Sequence, residues 1–200
     1  MFITFEGIDG SGKSTQIRLL KNYFDRENRE AYTFREPGGT EISEQIRNLL
    51  LHGGDELDSV TELLLFSAAR SQLISQKVAP LLDAGKIVIL DRFYDSTIAY
   101  QGYGRSSAPL EEIQQLNKIA SHHRIPDITF YLKITPEMAQ QRTETGEKDR
   151  MEKSGIEFFN KVCKGFDELS KREQRLKTID ATRSVKEIHD QIITQIQNLF

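Results

Sequence analysis

From Gly7 to Ser14 the chain reads Gly-Ile-Asp-Gly-Ser-Gly-Lys-Ser, a spacing of glycines, lysine and hydroxyl that suits the binding of a polyphosphate. The glycines let the backbone turn tightly and bring several N–H groups around one phosphate. Lys13 can reach the outer phosphates, and the Ser14 hydroxyl can ligate magnesium. A helix starting near Lys13 adds its positive end to the same anion. The apolar run Phe2 to Phe5 stands directly before the glycines, so the loop reads as a phosphate cradle at the mouth of a strand.

A second group of residues suits the chemistry that such a cradle serves. The run Ile87-Val88-Ile89-Leu90 closes on Asp91, an acid at a strand end that can hold magnesium or its water shell, or else cap the following helix. Arg92 follows at once, where its planar fork can clamp phosphate oxygens or form a surface ion pair. Phe66 and Arg70 are four residues apart on a helical pattern, so one can cover a base while the other meets its edge. A core aromatic beside a solvent-exposed arginine is the other reading of that pair.

Positioning these groups requires strands and helices in alternation. Apolar β-rich runs recur at Phe2–Phe5, Ala31–Phe34, Lys86–Leu90, Ile128–Ile134 and Leu176–Ile179, and helical patterns separate them. This predicts an α/β fold with a five-stranded parallel sheet flanked by helices. Ile17, Leu19, Leu20, Tyr23 and Phe24 mark the first helix, and a long one is expected from Glu56 to Ala84, with Pro80 as a kink. Further helices are expected from Pro109 through Ile119 and from Val185 to about Leu199. The polar stretch Thr143–Gly155 reads as a mobile flap, or a plain surface connection.

With 200 residues and a formal charge of −3, the chain suits one domain, and its scattered basic residues do not suggest a nucleic-acid partner. Cys163 stands alone, and no run approaches the roughly 20 apolar residues that a membrane span needs. These features, with an amino terminus that enters a strand directly, point to the cytoplasm.

In order along the chain stand the cradle, Arg35-Glu36-Pro37-Gly38-Gly39-Thr40, Arg47, Phe66-x-x-x-Arg70, and Asp91-Arg92-Phe93 leading to Asp95-Ser96-Thr97-Ile98-Ala99-Tyr100-Gln101-Gly102. Together they resemble the thymidylate kinase family over essentially the full length. The resemblance implies a P-loop fold and transfer of the γ-phosphoryl of ATP to dTMP with magnesium. ATP would lie on Gly7, Ile8, Asp9, Gly10, Ser11, Gly12, Lys13, Ser14 and Thr15, with Arg142 on the adenine face beside the loop Asp180–Arg183. Phe66 would stack on thymine, Arg70 would donate to its exocyclic oxygen, and Thr97 and Gln101 would approach the base edge. Arg47 and Arg92 would bind the 5′-phosphate, Asp9 the 3′-hydroxyl, and Tyr100 would crowd a ribose 2′-hydroxyl. Glu36 and Pro37 would border the thymine pocket, without separable roles.

For catalysis the resemblance nominates Lys13, Arg92, Arg150 and Asp91, with Ser14 and Asp91 around the metal. The dTMP phosphate has a second pKa of about 6, so no general base is required and the work is positioning plus electrostatics. Some relatives carry a basic residue where this chain has Gly10, and the lid arginine Arg150, beside Asp149, is expected to supply the missing charge. Relatives of this type are usually homodimers, for which Leu63–Leu65 and Leu73–Ile74 offer apolar surface or serve only the core. Two other readings remain open at this stage: a nucleoside monophosphate kinase of different base specificity, and a P-loop module that senses nucleotide without phosphorylating a small molecule.

Overall fold

In the computed structural model, which describes residues 1–53, 57–143 and 150–199, all five apolar runs form strands. They are β1 (Phe2–Glu6), β2 (Ala31–Arg35), β3 (Ile87–Asp91), β4 (Ile128–Lys133) and β5 (Leu176–Asp180), paired in the order β2-β3-β1-β4-β5 with every described pairing parallel. The central strand β1 is buried along its whole length, as a strand with helices on both faces must be. On the edge strand β5 only Leu176 and Ile179 are buried.

The helices are α1 (Lys13–Arg26), α2 (Glu41–His52), α3 (Ser59–Leu73), α4 (Ala79–Asp83), α5 (Tyr94–Thr97), α6 (Leu110–Ala120), α7 (Pro136–Thr143), α8 (Gly155–Arg172) and α9 (Val185–Gln197). Leu20 and Phe24 of α1, Phe166 of α8 and Ile192 of α9 join Phe5 and Phe130 of the sheet in the main core. Each such side chain contributes about 1.5–3 kcal/mol by its removal from water. A second cluster under α3 joins Leu73, Ile74 and Val78 to Phe2, Val88, Leu90 and Phe93.

The long helix expected from Glu56 begins instead at Ser59, because Asp58 caps it by accepting from the Val60 and Thr61 N–H groups, and Glu56 lies outside the described residues. Its kink takes the form of a wide π-helical turn, Ile74–Val78, which ends two residues before Pro80. Proline has no N–H to give and its ring crowds the carbonyl four residues back, so the preceding turn opens. A second π-helical segment, Ile98–Gly104, continues α5 and carries Tyr100 and Gln101. Of the expected flap, residues 144–149, with Lys148 and Asp149, lie outside the described residues, while Glu152–Ser154 form one 3-10 turn before α8.

The apolar stretch expected either to offer partner surface or to serve only the core divides between the two. Leu63, Leu73 and Ile74 belong to the core, and only Leu64, 52% exposed, faces outward with Ile42, Leu49 and Val60 of the paired helices α2 and α3.

Candidate active site

Because the strands are parallel, their carboxyl ends share one edge of the sheet, and the loops leaving them gather the chemistry-bearing residues there. The cradle leaves β1 at Gly7, whose φ of +133° and closeness to β4 both demand glycine: a Cβ would lie 2.7 Å from the Leu132 carbonyl oxygen. Lys13 is buried at the start of α1, with Nζ donating to the carbonyls of Gly7 at 3.0 Å and Ile8 at 3.1 Å. Burial and the charge of Arg92 pull the Lys13 pKa below its usual range. The Ser14 hydroxyl donates to Asp91 Oδ2 at 3.2 Å, so the two expected metal-side oxygens meet.

Arg92 leaves β3 with a φ of +71°, unusual for a residue with a side chain. Its Nη1 donates to the Gly7 carbonyl at 2.8 Å, its Nη2 donates to Asp9 Oδ1 at 2.8 Å, and the guanidinium stands 5.1 Å from the Tyr100 ring centre. Desolvation in the cleft opposes ionisation of Asp9, but the Arg92 and Lys13 charges prevail and hold its carboxyl well below the usual carboxylate range. Behind this turn lies a group that sequence reasoning missed. Glu6, fully buried at the end of β1, accepts from the Phe93 N–H at 2.8 Å, the Ser96 N–H at 3.3 Å and the Ser96 hydroxyl at 2.5 Å. Burial, reinforced by the Asp95 charge, pushes its carboxyl up to about 8.

A cavity of about 220 Å³ opens beside the cradle, and its lining includes Asp9, Glu36, Pro37, Arg47, Phe66, Arg70, Arg92, Thr97, Tyr100 and Gln101. These are all ten of the residues assigned above to the acceptor nucleotide. Glu36 and Pro37 acquire separate tasks. The Arg70 guanidinium, only 2% exposed, donates Nε to Glu36 Oε2 at 2.8 Å and Nη1 to Asn117 Oδ1 at 3.1 Å. Arg47 donates Nη1 to the Pro37 carbonyl at 2.9 Å. Glu36 therefore aims Arg70, and Pro37 aims Arg47. The Tyr100 hydroxyl is buried without a hydrogen-bond partner among the described residues, and burial raises its pKa.

The same cavity takes in Leu51, Phe93, Ser96 and Met151, which sequence reasoning had not assigned to it. Glu62 was also missed. Buried to 1% exposure, it accepts from Gln101 Nε2 at 2.8 Å and pairs with Arg150 and Arg105. Its signal was present, since Glu62, Phe66 and Arg70 fall at intervals of four on one face of α3. Asn117 had no comparable signal.

A second cavity, about 420 Å³, lies on the other side of Asp9 and is lined by Ile8, Ala139, Thr143, Ile156 and Phe159 among others. Arg142 stands near it, donating to the Gly10 carbonyl at 3.3 Å and to the Ala181 carbonyl at 3.0 Å, which joins the cradle to the loop after β5. Arg150 is placed differently. Its Nε donates to the Leu50 carbonyl at 2.9 Å and its Nη2 to Glu62, so the structure does not bring it to the cradle. Gly10 has a φ of +80°, and a Cβ there would lie 2.6 Å from the Ala139 carbonyl oxygen of α7.

No cluster of three or more His, Cys, Asp or Glu suited to a metal occurs among the described residues. The adjoining hard oxygens of Ser14 and Asp91 nevertheless fit magnesium, which usually takes one or two protein oxygens and completes its shell with phosphate and water. No described helix is long and apolar enough to cross a membrane.

Residues 5–192 match the family model described as thymidylate kinase. The chain is 49% identical to thymidylate kinase of Chlorobaculum parvum, over 100% of this chain and 96% of the relative. It is 41% identical to thymidylate kinase of a Thermoanaerobacter species, over 98% of this chain and 97% of the relative. A crystal structure of thymidylate kinase from Ehrlichia chaffeensis superposes with a TM-score of 0.80 at 40% identity, covering 98% of each chain.

Proposed function

The chain belongs to the thymidylate kinase family, and from that premise we propose how its residues carry a γ-phosphoryl group from ATP to dTMP, giving dTDP and ADP. One observation supports the reading above the others: the 220 Å³ cavity and the cradle share Asp9 and are bridged by Arg92, so two phosphate-bearing ligands can meet end to end. Residues 1–200 act as a single kinase domain, with the segment around 143–155 as its lid.

ATP lies along the cradle from Gly7 to Thr15, its phosphates held by backbone N–H groups and by Lys13, and its adenine lies near Arg142. Thymine occupies the 220 Å³ cavity, stacked on Phe66, with Arg70 donating to its exocyclic oxygen and Thr97 and Gln101 at its edge. Tyr100 packs where a ribose would place its 2′-hydroxyl, and Asp9 accepts from the 3′-hydroxyl. Arg47 and Arg92 hold the 5′-phosphate.

In the transfer, an ionised oxygen of the dTMP phosphate forms a bond to the γ-phosphorus as the bond to the β–γ bridging oxygen breaks. No side chain has to accept a proton, because that phosphate is largely ionised near pH 7. Lys13, Arg92 and Arg150 neutralise the charge that spreads over the moving group, Arg150 after leaving Glu62. Ser14 and Asp91 would hold magnesium, which supplies neutralisation of the β- and γ-phosphate oxygens. Two copies of the chain associate through α2 and α3, where Ile42, Leu49, Val60 and Leu64 are exposed.

ADP formation with ATP and magnesium, measured across dTMP, dUMP, UMP, dCMP, AMP and GMP, tests the reading. The expected kcat/KM is highest for dTMP, with dUMP lower by roughly 10- to 200-fold for its missing methyl. A preference for any other acceptor would overturn the base assignment and leave the kinase class standing.

A further inference from the structure

We propose that Glu62 is a positioning residue that locks the side-chain amide of Gln101, so that the acceptor cavity presents a hydrogen-bond acceptor to the base and admits thymine in preference to cytosine. This rests on the reading that the base occupies the 220 Å³ cavity, and it goes beyond that reading by assigning specificity to a residue that does not line it.

Gln101 is 2% exposed and Glu62 is 1% exposed, so neither is free to trade its contact for water. Their bond runs from Gln101 Nε2 to Glu62 Oε1 at 2.8 Å. A carboxylate only accepts, so it must face the NH₂ group of the amide, and that fixes which end of Gln101 points elsewhere. The amide oxygen carries no hydrogen bond among the described residues, and Gln101 lines the acceptor cavity, whereas Glu62 lines a separate hollow with Arg105 and Arg150. The amide thus stands as a partition, its donor turned to Glu62 and its acceptor available to the cavity. Thymine offers a ring N3–H donor to such an oxygen. Cytosine has a lone pair at the same ring position, and two acceptors facing each other repel.

The lock is braced. The Glu62 carboxylate sits 3.6 Å from Arg105 Nε and accepts from Arg150 Nη2, so two guanidinium groups compensate its buried charge, and Arg105 stays with it when Arg150 turns to the phosphates. Unlocked, a glutamine amide can turn over and suit either base.

The test compares kcat/KM for dTMP and dCMP in the wild type, Glu62→Gln, Gln101→Glu and the exchange variant carrying both changes. In Glu62→Gln the new amide can donate or accept, so Gln101 is free to turn, and the dTMP-to-dCMP ratio is expected to fall at least about tenfold. Gln101→Glu alone opposes two carboxylates and is expected to lose dTMP activity. The exchange variant restores the pairing in reverse, with the new amide at position 62 donating to the new carboxylate at position 101, whose other oxygen again faces N3–H. Its ratio is expected to return to within a few-fold of wild type. Because it keeps one carboxylate in the cluster, it carries the test against Gln101→Glu even if Glu62→Gln fails to fold.

A folded Glu62→Gln enzyme with an unchanged ratio would overturn the proposal, and so would an exchange variant no more selective than Gln101→Glu. A merely structural Glu62 would lower both acceptors together and leave the ratio alone. If the wild type itself does not prefer dTMP, the base assignment fails instead of the lock.

Discussion

Removing Glu36 while keeping Arg70 separates what that ion pair does for stability from what it does for the substrate. Both groups are buried, at 5% and 2% exposure, and the Nε–Oε2 distance is 2.8 Å. In Glu36→Ala the guanidinium keeps Asn117 and the Phe93 ring, 5.5 Å away, but loses its only carboxylate partner among the described residues. Stranding a buried charge in this way costs about 3–5 kcal/mol, a large share of the 5–15 kcal/mol typical of a folded domain. The pair itself adds little net stability, because burial pushes the Glu36 carboxyl up to about 7 despite the opposing pull of Arg70. With its folded pKa above the unfolded one, Glu36 contributes stability that is full below the ordinary glutamate range and is lost as pH rises through about 7. Glu36→Met combined with Arg70→Met should therefore unfold within about 1 kcal/mol of wild type, yet lose dTMP kcat/KM by about 100-fold. Urea unfolding at pH 8, where Glu36 is ionised, and steady-state ADP release provide the two measurements. A Glu36→Ala loss below about 1 kcal/mol, or a double variant as unstable as the single, would refute the argument.

Arg150→Ala is expected to lower turnover by roughly 10³, the low end for a transition-state arginine, while Glu62 keeps Arg105 and Gln101 and the fold survives; wild-type turnover would sink the role. Glu6→Gln should flatten the pH dependence of stability. Its wild-type carboxyl, raised to about 8, contributes stability below the ordinary glutamate range that is lost as pH rises through about 8, so thermal melts of variant and wild type should diverge between pH 5 and 8. Parallel curves would show that Glu6 does not titrate there. Leu64→Glu should convert a dimer to monomer in sedimentation velocity, and a wild-type monomer would end the association proposal.

The strands and the cradle were legible because their signals are local: apolar runs of strand length, and glycines at fixed offsets before a lysine. The grouping of residues around the 220 Å³ cavity was legible in its lining but not in its supports. Side chains such as Phe66 and Arg70 announce themselves by a shared helix face, whereas the partner that aims Arg70 lies 34 residues away on another loop. Spacing cannot report such a contact, because it joins the segment after β2 to α3 through tertiary packing. Helix irregularity was half legible: Pro80 signalled a break, but nothing in Ile98–Gly104 announces the wide turn that carries Tyr100 and Gln101. Met151 joins the 220 Å³ cavity, and Arg105 the separate hollow beside Glu62, through tertiary packing alone.

Gly10 shows most clearly how structure changes the meaning of a residue. In sequence it marked a missing charge. In the fold it marks occupied space, because α7 presses the Ala139 carbonyl to within 2.6 Å of where a Cβ would stand, and a φ of +80° already disfavours a side chain. The same helix carries Arg142 to the Gly10 carbonyl. A side chain at position 10 and α7 at its present distance exclude each other. Position 10 therefore cannot supply a further cation beyond Lys13 and Arg92 while α7 keeps that place. Arg142 stands at the cradle with its guanidinium engaged by the Gly10 and Ala181 carbonyls, and Arg150 is engaged by the Leu50 carbonyl and Glu62, so charge brought to a phosphate by either arginine is conditional on movement in a way that a residue fixed within the loop would not be.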